Sequence, residues 1–165
     1  MFPTAERVRE LLDYDPETGI FTRKVRLAQR HQVGSRADFI VQHGQLKGYA
    51  RVGIDRQRYL AHRVAWLYVH GTWPTKYLDH INGNKSDNRI CNLREATAKL
   101  NNENKHKPNA QNRAGYLGVH FHQGKWRAKI QTDGRVVDLG CYETPEKAHE
   151  IYLVAKRLVH KGCTI

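Results

Sequence analysis

The feature that most constrains this fold is a stretch with the composition of a linker. Residues 103–115 read ENKHKPNAQNRAG, rich in Asn and Lys, broken by one Pro and almost without apolar side chains. Such a segment has few apolar side chains to bury, which is the composition of a linker. A chain of 165 residues is long enough for one ordinary domain or two small ones, and this stretch suggests a division with a compact unit beyond it.

The chain carries 28 Lys and Arg against 16 Asp and Glu, a formal charge of +12 and a pI near 9.8. That excess suits a polyanion, and nucleic acid is the expected partner. Residues 114–165 hold net +3 and residues 1–113 net +9, so both sides of the linker can contribute. MFPTAERVRELL has no apolar run of the signal-peptide type, and no stretch is long and apolar enough to span a bilayer. A cytoplasmic protein with no membrane partner is expected. The cysteines, Cys91, Cys141 and Cys163, are odd in number and scattered without a CxxC, so neither a disulfide framework nor a structural zinc is expected.

Local patterns give an α+β chain. PTAERVRELLDYD reads as a short helix started by Pro3 and Thr4, with Val8, Leu11 and Leu12 on its apolar face. DYDPETGIFTRKV is a turn into a strand, and residues 26–46 read as irregular. GYARVGIDRQRYLAHR alternates as a hairpin with DRQR as its turn, and LAHRVAWLYVHG is a buried helix stopped by Gly71. Beyond the linker, three short strands are separated by turns at Gln123-Gly124 and Asp133-Gly134. A helix follows with Thr144 as cap and Pro145 in first position, its stripe formed by Ala148, Ile151, Tyr152, Ala155 and Leu158.

The chemistry concentrates in LDHINGNKSDNRICNLREATAKLNN, residues 78–102. Phosphodiester hydrolysis needs a base for water, a divalent cation for the developing charge, and ligands for that cation. Asp79 offers a carboxylate, Asn101 an amide oxygen, and His80 titrates near neutrality, as a base should. KYLDH reads as the end of a strand, Asn82-Gly83 as a hairpin signal, and NLREATAKLNN as a helix with Leu93, Ala96 and Leu100 as its stripe. Asn92 with Glu95 makes a capping box, so Asn92 reads as a helix cap as well as a site residue. Asn82, Asn84 and Asn88 read as turn residues, and His62 as a satisfied, partly buried histidine rather than a ligand.

DHINGNKSDNRICNLREATAKLNNENK resembles the HNH endonucleases, in the asparagine-ended subgroup of phage and group I intron homing enzymes. The resemblance spans residues 59–105. It implies a ββα-metal fold in which Asp79 and Asn101 bind the metal, His80 is the general base, and Asn92 braces the hairpin and orients that base. It implies a divalent metal, Mg²⁺ with Mn²⁺ as the alternative. One such site cuts one strand, so a monomer is expected to nick double-stranded DNA. The cytoplasm would be that of the host cell if the chain is phage-encoded.

YLGVHFHQGKWRAKIQTDGRVVDLGCYETPEKAHEIYLVAKRLVHKG resembles an AP2 domain over residues 115–162. The resemblance implies a three-stranded antiparallel sheet packed on one helix and laid in the DNA major groove. In KWRAKIQ, Trp126, Ala128 and Ile130 alternate with Arg127, Lys129 and Gln131, so the second set can face phosphates and base edges. His120 and His122 share a strand face, and with Lys125 and Arg135 they complete the expected DNA contacts. The expected domains are an N-terminal α+β segment at 1–58, the nuclease at 59–108, a linker at 109–114 and the AP2-like domain at 115–165. The rivals are a non-enzymatic DNA-binding protein with a decayed nuclease site and an RNA-binding module.

Overall fold

The computed structural model describes residues 2–109 and 111–165. Residue 110, inside the expected 109–114 linker, lies outside the described residues, as does Met1 of the expected 1–58 segment. The chain divides into two compact units, Met1–Thr97 and Ala98–Ile165. Both mix helices with small antiparallel sheets.

The first unit opens with α1 (Ala5–Leu11), capped by Thr4, whose hydroxyl accepts from Arg7 N at 3.2 Å. β1 (Leu12–Asp15) and β2 (Ile20–Arg23) form a hairpin. The 26–46 segment, expected to be irregular, contains one short strand, β3 (Asp38–Ile40), which pairs with β4 (Ala50–Ile54). β4 also pairs with β5 (Gln57–Leu60). The turn between them is Asp55-Arg56 alone, both at positive φ (47° and 66°), the conformation of a two-residue hairpin turn. α2 (Ala61–His70) follows and ends at Gly71 in the left-handed conformation. Ala50, Val52 and Ile54 of β4 turn inward and meet Val8, Phe21, Val64 and Leu67, all buried in one core.

β6 (Tyr77–His80) then pairs with β7 (Leu93–Ala96). This corrects the expected helix over NLREATAKLNN. Its first half is a strand, and only Ala98–Glu103 (α3) is helical. Pairing with β6 and burial of Leu93 and Ala96 override the helical propensity of Leu, Arg, Glu and Ala. The capping box is absent too: the Glu95 carboxylate accepts from Thr75 N at 2.7 Å and Lys76 N at 3.2 Å.

The second unit begins with α3 and continues to β8 (Val119–His122), β9 (Lys125–Thr132) and β10 (Arg135–Tyr142), a three-stranded antiparallel sheet with β9 in the centre. Its turns at Gln123-Gly124 and Asp133-Gly134 have positive φ at both residues. α4 (Pro145–Val159) is capped by Thr144 and packs Ala148 and Tyr152 against Val119, Ala128 and Ile130. At Gly118 a Cβ would lie 2.0 Å from the Tyr152 ring, so glycine is what lets the helix approach. The expected stripe fails at its last residue: Leu158 is 80 % exposed, while Lys156 is buried and its Nζ donates to Lys105 O. Among the described residues the cysteines are free thiols, Cys91 and Cys141 exposed and Cys163 half-buried. No helix of the described residues is long and apolar enough to cross a membrane.

Candidate active site

The β6–β7 hairpin sets Asp79 opposite Arg94 and His80 opposite Leu93. Both Asp79 and His80 are buried. Arg94 Nε and Nη2 donate to Asp79 Oδ2 at 3.0 and 2.9 Å, so the carboxylate has a guanidinium as counter-charge.

His80 owes its position to the twelve-residue loop 81–92 that joins the strands. Three side chains fold that loop locally. Asn82 Oδ1 accepts from Asn84 N, Asn84 Oδ1 accepts from Ser86 N, and Asp87 pairs with Arg89 at 2.7 Å. Asn92 closes it: its Oδ1 accepts from Asn82 N at 2.9 Å, and its Nδ2 donates to Asn82 Oδ1 and to Asp87 O at 3.0 and 2.8 Å. The Asn82-Gly83 pair thus starts a long Asx-rich loop rather than a two-residue hairpin turn.

The loop delivers Asn88, 1 % exposed, to the imidazole. His80 Nε2 donates to Asn88 Oδ1 at 3.1 Å. With Nε2 protonated, the neutral ring carries its lone pair on Nδ1. Asn88 itself is anchored from the β1–β2 hairpin, where Tyr14 OH donates to Asn88 O at 2.8 Å. Gly19, at φ +72°, lies so close that a Cβ would come within 2.4 Å of Arg89 N and 2.6 Å of Asn88 C. From the sequence, Asn88 is expected as a turn residue and Asn92 as the residue that orients the base. In the fold Asn92 ties the loop and Asn88 touches the base. The available signal is weak, since four asparagines crowd residues 82–92 with Asp87 and nothing local separates them.

Around His80 stand two further rings. His62, on α2, lies with its ring centroid 4.9 Å from that of His80 in an edge-to-face arrangement, and Tyr49 sits 6.1 Å away. His62 is buried, and its Nδ1 meets no hydrogen-bond partner among the described residues, so it is not the satisfied, partly buried histidine expected. Burial, with His80 and Arg63 nearby, pushes its pKa down to about 3. Burial also lowers His80, partly countered by the bond to Asn88 and the charge of Asp79. Both imidazoles are therefore neutral at pH 7. Burial and the Asp79 charge raise Tyr49, which keeps its proton.

Among the described residues no three or more His, Cys, Asp and Glu side chains group as metal ligands. What β6 offers beside His80 is the Asp79 carboxylate, since Asp87 pairs with Arg89 and Glu95 accepts from Thr75 and Lys76. Mg²⁺ is commonly held by one or two carboxylates with waters and substrate phosphate completing its shell, so this donor chemistry fits a hard divalent cation and not a thiolate or zinc cage. Asn101, the other expected ligand, lies on α3 in the second unit.

The second unit gathers most of the expected DNA contacts on one face. His120 is opposite Arg127 and His122 opposite Lys125. Lys129 and Gln131 share the outward alternation of β9, while Ala128 and Ile130 are buried beneath. Arg135 is opposite Thr132, on the other alternation, and falls outside this row. Asp138 is opposite Lys129 and pairs with Arg127, which drives the Asp138 carboxyl down to about 2. Lys125 pairs with Glu143 at 2.8 Å. Burial lowers the His120 pKa first, and Lys129, Arg127 and His122 lower it further against the opposing charge of Asp138.

No curated protein and no solved structure matches this chain. Residues 59–103, from β5 through α2 and the β6–β7 hairpin to the end of α3, match the family model described as HNH endonuclease, and an HNH nuclease is what that match supports.

Proposed function

We propose that this chain is a metal-dependent HNH endonuclease that hydrolyses a phosphodiester bond of double-stranded DNA, nicking one strand as a monomer. The observation that carries the reading is His80: a buried, neutral imidazole beside Asp79, held through Nε2 by Asn88 so that Nδ1 is the basic nitrogen. A neutral base fixed in one tautomer is what proton abstraction from water requires. Asp79 would hold the divalent cation, Mg²⁺ or Mn²⁺, and Asn101 is the second ligand proposed. When bound, the cation supplies charge stabilisation for the phosphate and the leaving oxygen. Arg94 keeps the Asp79 carboxylate aligned against β7.

The face of β8–β10 that bears His120, His122, Lys125, Arg127, Lys129 and Gln131 is the proposed DNA-positioning surface, in the manner of an AP2 domain. Its charge and its regular spacing support that role. A phage or intron homing enzyme is the proposed biological setting, and the host cytoplasm its compartment. The test is conversion of supercoiled plasmid to open circle, with Mg²⁺ and with EDTA. Nicking that requires the metal is expected; nicking undiminished in EDTA overturns the metal mechanism. The triple variant Arg127→Ala, Lys129→Ala, Gln131→Ala should weaken DNA binding and lower the salt slope by roughly 0.9 per lost phosphate contact.

A further inference from the structure

Residues 21–60 hold 9 Lys and Arg against 2 Asp and Glu, net +7 of the chain's +12. None of this charge lies on the β6–β7 hairpin or on the β8–β10 sheet. Both acids are engaged already, Asp38 by Arg36 at 2.7 Å and Asp55 by Arg7 at 2.8 Å. The alternation that buries Ala50, Val52 and Ile54 turns Arg51 and Gly53 outward. Pairing adds Phe39 from β3 and Arg58 from β5 to that outer face.

The segment between β2 and β3 helps enclose a cleft of about 510 Å³ here. Leu12, Val25 and Phe39 give it an apolar floor, and Arg23, Arg30 and Arg58 rim it. Phe39 is 43 % exposed, and the Arg58 guanidinium lies 5.5 Å from its ring centre. Neither Arg30 nor Arg58 has a carboxylate in ion-pairing reach among the described residues. His31 also lines the cleft, and its Nδ1 is buried without a hydrogen-bond partner among the described residues.

An apolar floor does not suit a hydrated small anion, and a rim of guanidiniums does not suit a neutral apolar peptide. A nucleotide joins a flat apolar ring to a negative phosphate and meets both demands. A base inside a duplex stack has no free face to offer Phe39, so the occupant is unstacked. The volume falls within the roughly 300–1,000 Å³ of small-ligand sites, which suits one nucleotide and not a double helix. We infer that the cleft of the first unit binds an unpaired nucleotide of a nucleic-acid strand, with its base on Phe39 and flanking phosphates on Arg30 and Arg58. This rests on nucleic acid being the partner, and it gives the irregular 26–46 segment a role in holding a locally opened strand.

The experiment is binding of the full chain, without Mg²⁺, to a labelled 20-nucleotide single strand and to a blunt duplex of the same sequence across a salt series. Phe39→Ala should weaken single-strand binding about 5- to 150-fold, the range for one stacked base, and Phe39→Tyr should restore it. Arg30→Ala with Arg58→Ala should lower the single-strand salt slope by about 1.4, at ~0.7 for each phosphate contact, and the paired Lys variant should keep the slope. Thermal melting identifies any variant that fails to fold, and the Tyr and Lys replacements then carry the comparison with wild type. Wild-type single-strand affinity in both Ala variants overturns the inference. So does loss in the arginine variant alone, which leaves only general charge, or loss confined to the duplex. A wild-type chain that binds the single strand through this cleft yet cuts no DNA in Mg²⁺ would refute the nuclease reading and leave the cleft standing.

Discussion

Asn88→Ala tests the way the fold holds its base. The substitution removes the acceptor 3.1 Å from His80 Nε2 at a position only 1 % exposed. The Tyr14 bond to the Asn88 carbonyl survives, because it uses the backbone. Depriving a buried donor of its acceptor costs about 1–3 kcal/mol, and the small cavity adds to it. The chain should therefore fold with a lowered urea midpoint. The effect on chemistry is separate. Nothing then favours the proton on Nε2, so the imidazole spends time in the wrong tautomer and orientation. General base catalysis contributes about 10²–10⁴-fold, and losing its alignment should remove about 10- to 100-fold of it. Single-turnover cleavage at saturating DNA reads that loss, and DNA affinity should not move, since Asn88 is buried. Asn88→Asp keeps an acceptor and should restore cleavage at pH 8. Its carboxylate favours imidazolium, so its activity should fall away at a higher pH than that of wild type. A folded Asn88→Ala chain that cleaves at the wild-type rate would refute the orienting role.

Asn92→Ala breaks three bonds that close the loop, and should cost about 2–4 kcal/mol in urea unfolding; unchanged stability would show that the loop is held otherwise. Gly19→Ala forces a Cβ to 2.4 Å from Arg89 N at a positive φ, so it should destabilise the chain and lower single-turnover cleavage together; wild-type values of both would remove the β1–β2 hairpin as support for Asn88. Acid should destabilise the fold through His62, because its folded pKa is depressed to about 3 and the unfolded chain takes up the proton below about 6.5. Stability is then full above pH 6.5 and falls toward pH 3, by about 2 kcal/mol at pH 5. Urea unfolding at pH 7.5 and 5 measures the difference, which His62→Gln should shrink; equal stability at both pH values contradicts the burial of a neutral ring.

Much of this was legible locally. Gln123-Gly124, Asp133-Gly134 and Gly71 specify their turns and helix end through backbone conformation alone, and Thr4 and Thr144 cap as their sequence contexts indicate. Errors came where distant contacts decide. Leu93–Ala96 has helical composition and becomes a strand because β6 pairs with it. Leu158, expected on the apolar stripe of α4, is exposed, while Lys156 is buried and its Nζ donates to the Lys105 carbonyl. In the site, adjacency already marked Asp79 and His80, which follow from consecutive positions on one strand. Asn88 did not stand out among its neighbours, since its role depends on Tyr14 and Gly19, some seventy residues earlier in the chain. The same holds for His62, since no local signal tells that its Nδ1 lacks a partner.

The central claim is that His80 is the base of a nuclease. Single-turnover cleavage of plasmid DNA by wild type and His80→Ala, in Mg²⁺ and with DNA affinity measured alongside, tests it most directly. His80→Ala should lose about 10²–10⁴-fold in rate with affinity nearly unchanged. Wild-type turnover by His80→Ala would contradict it.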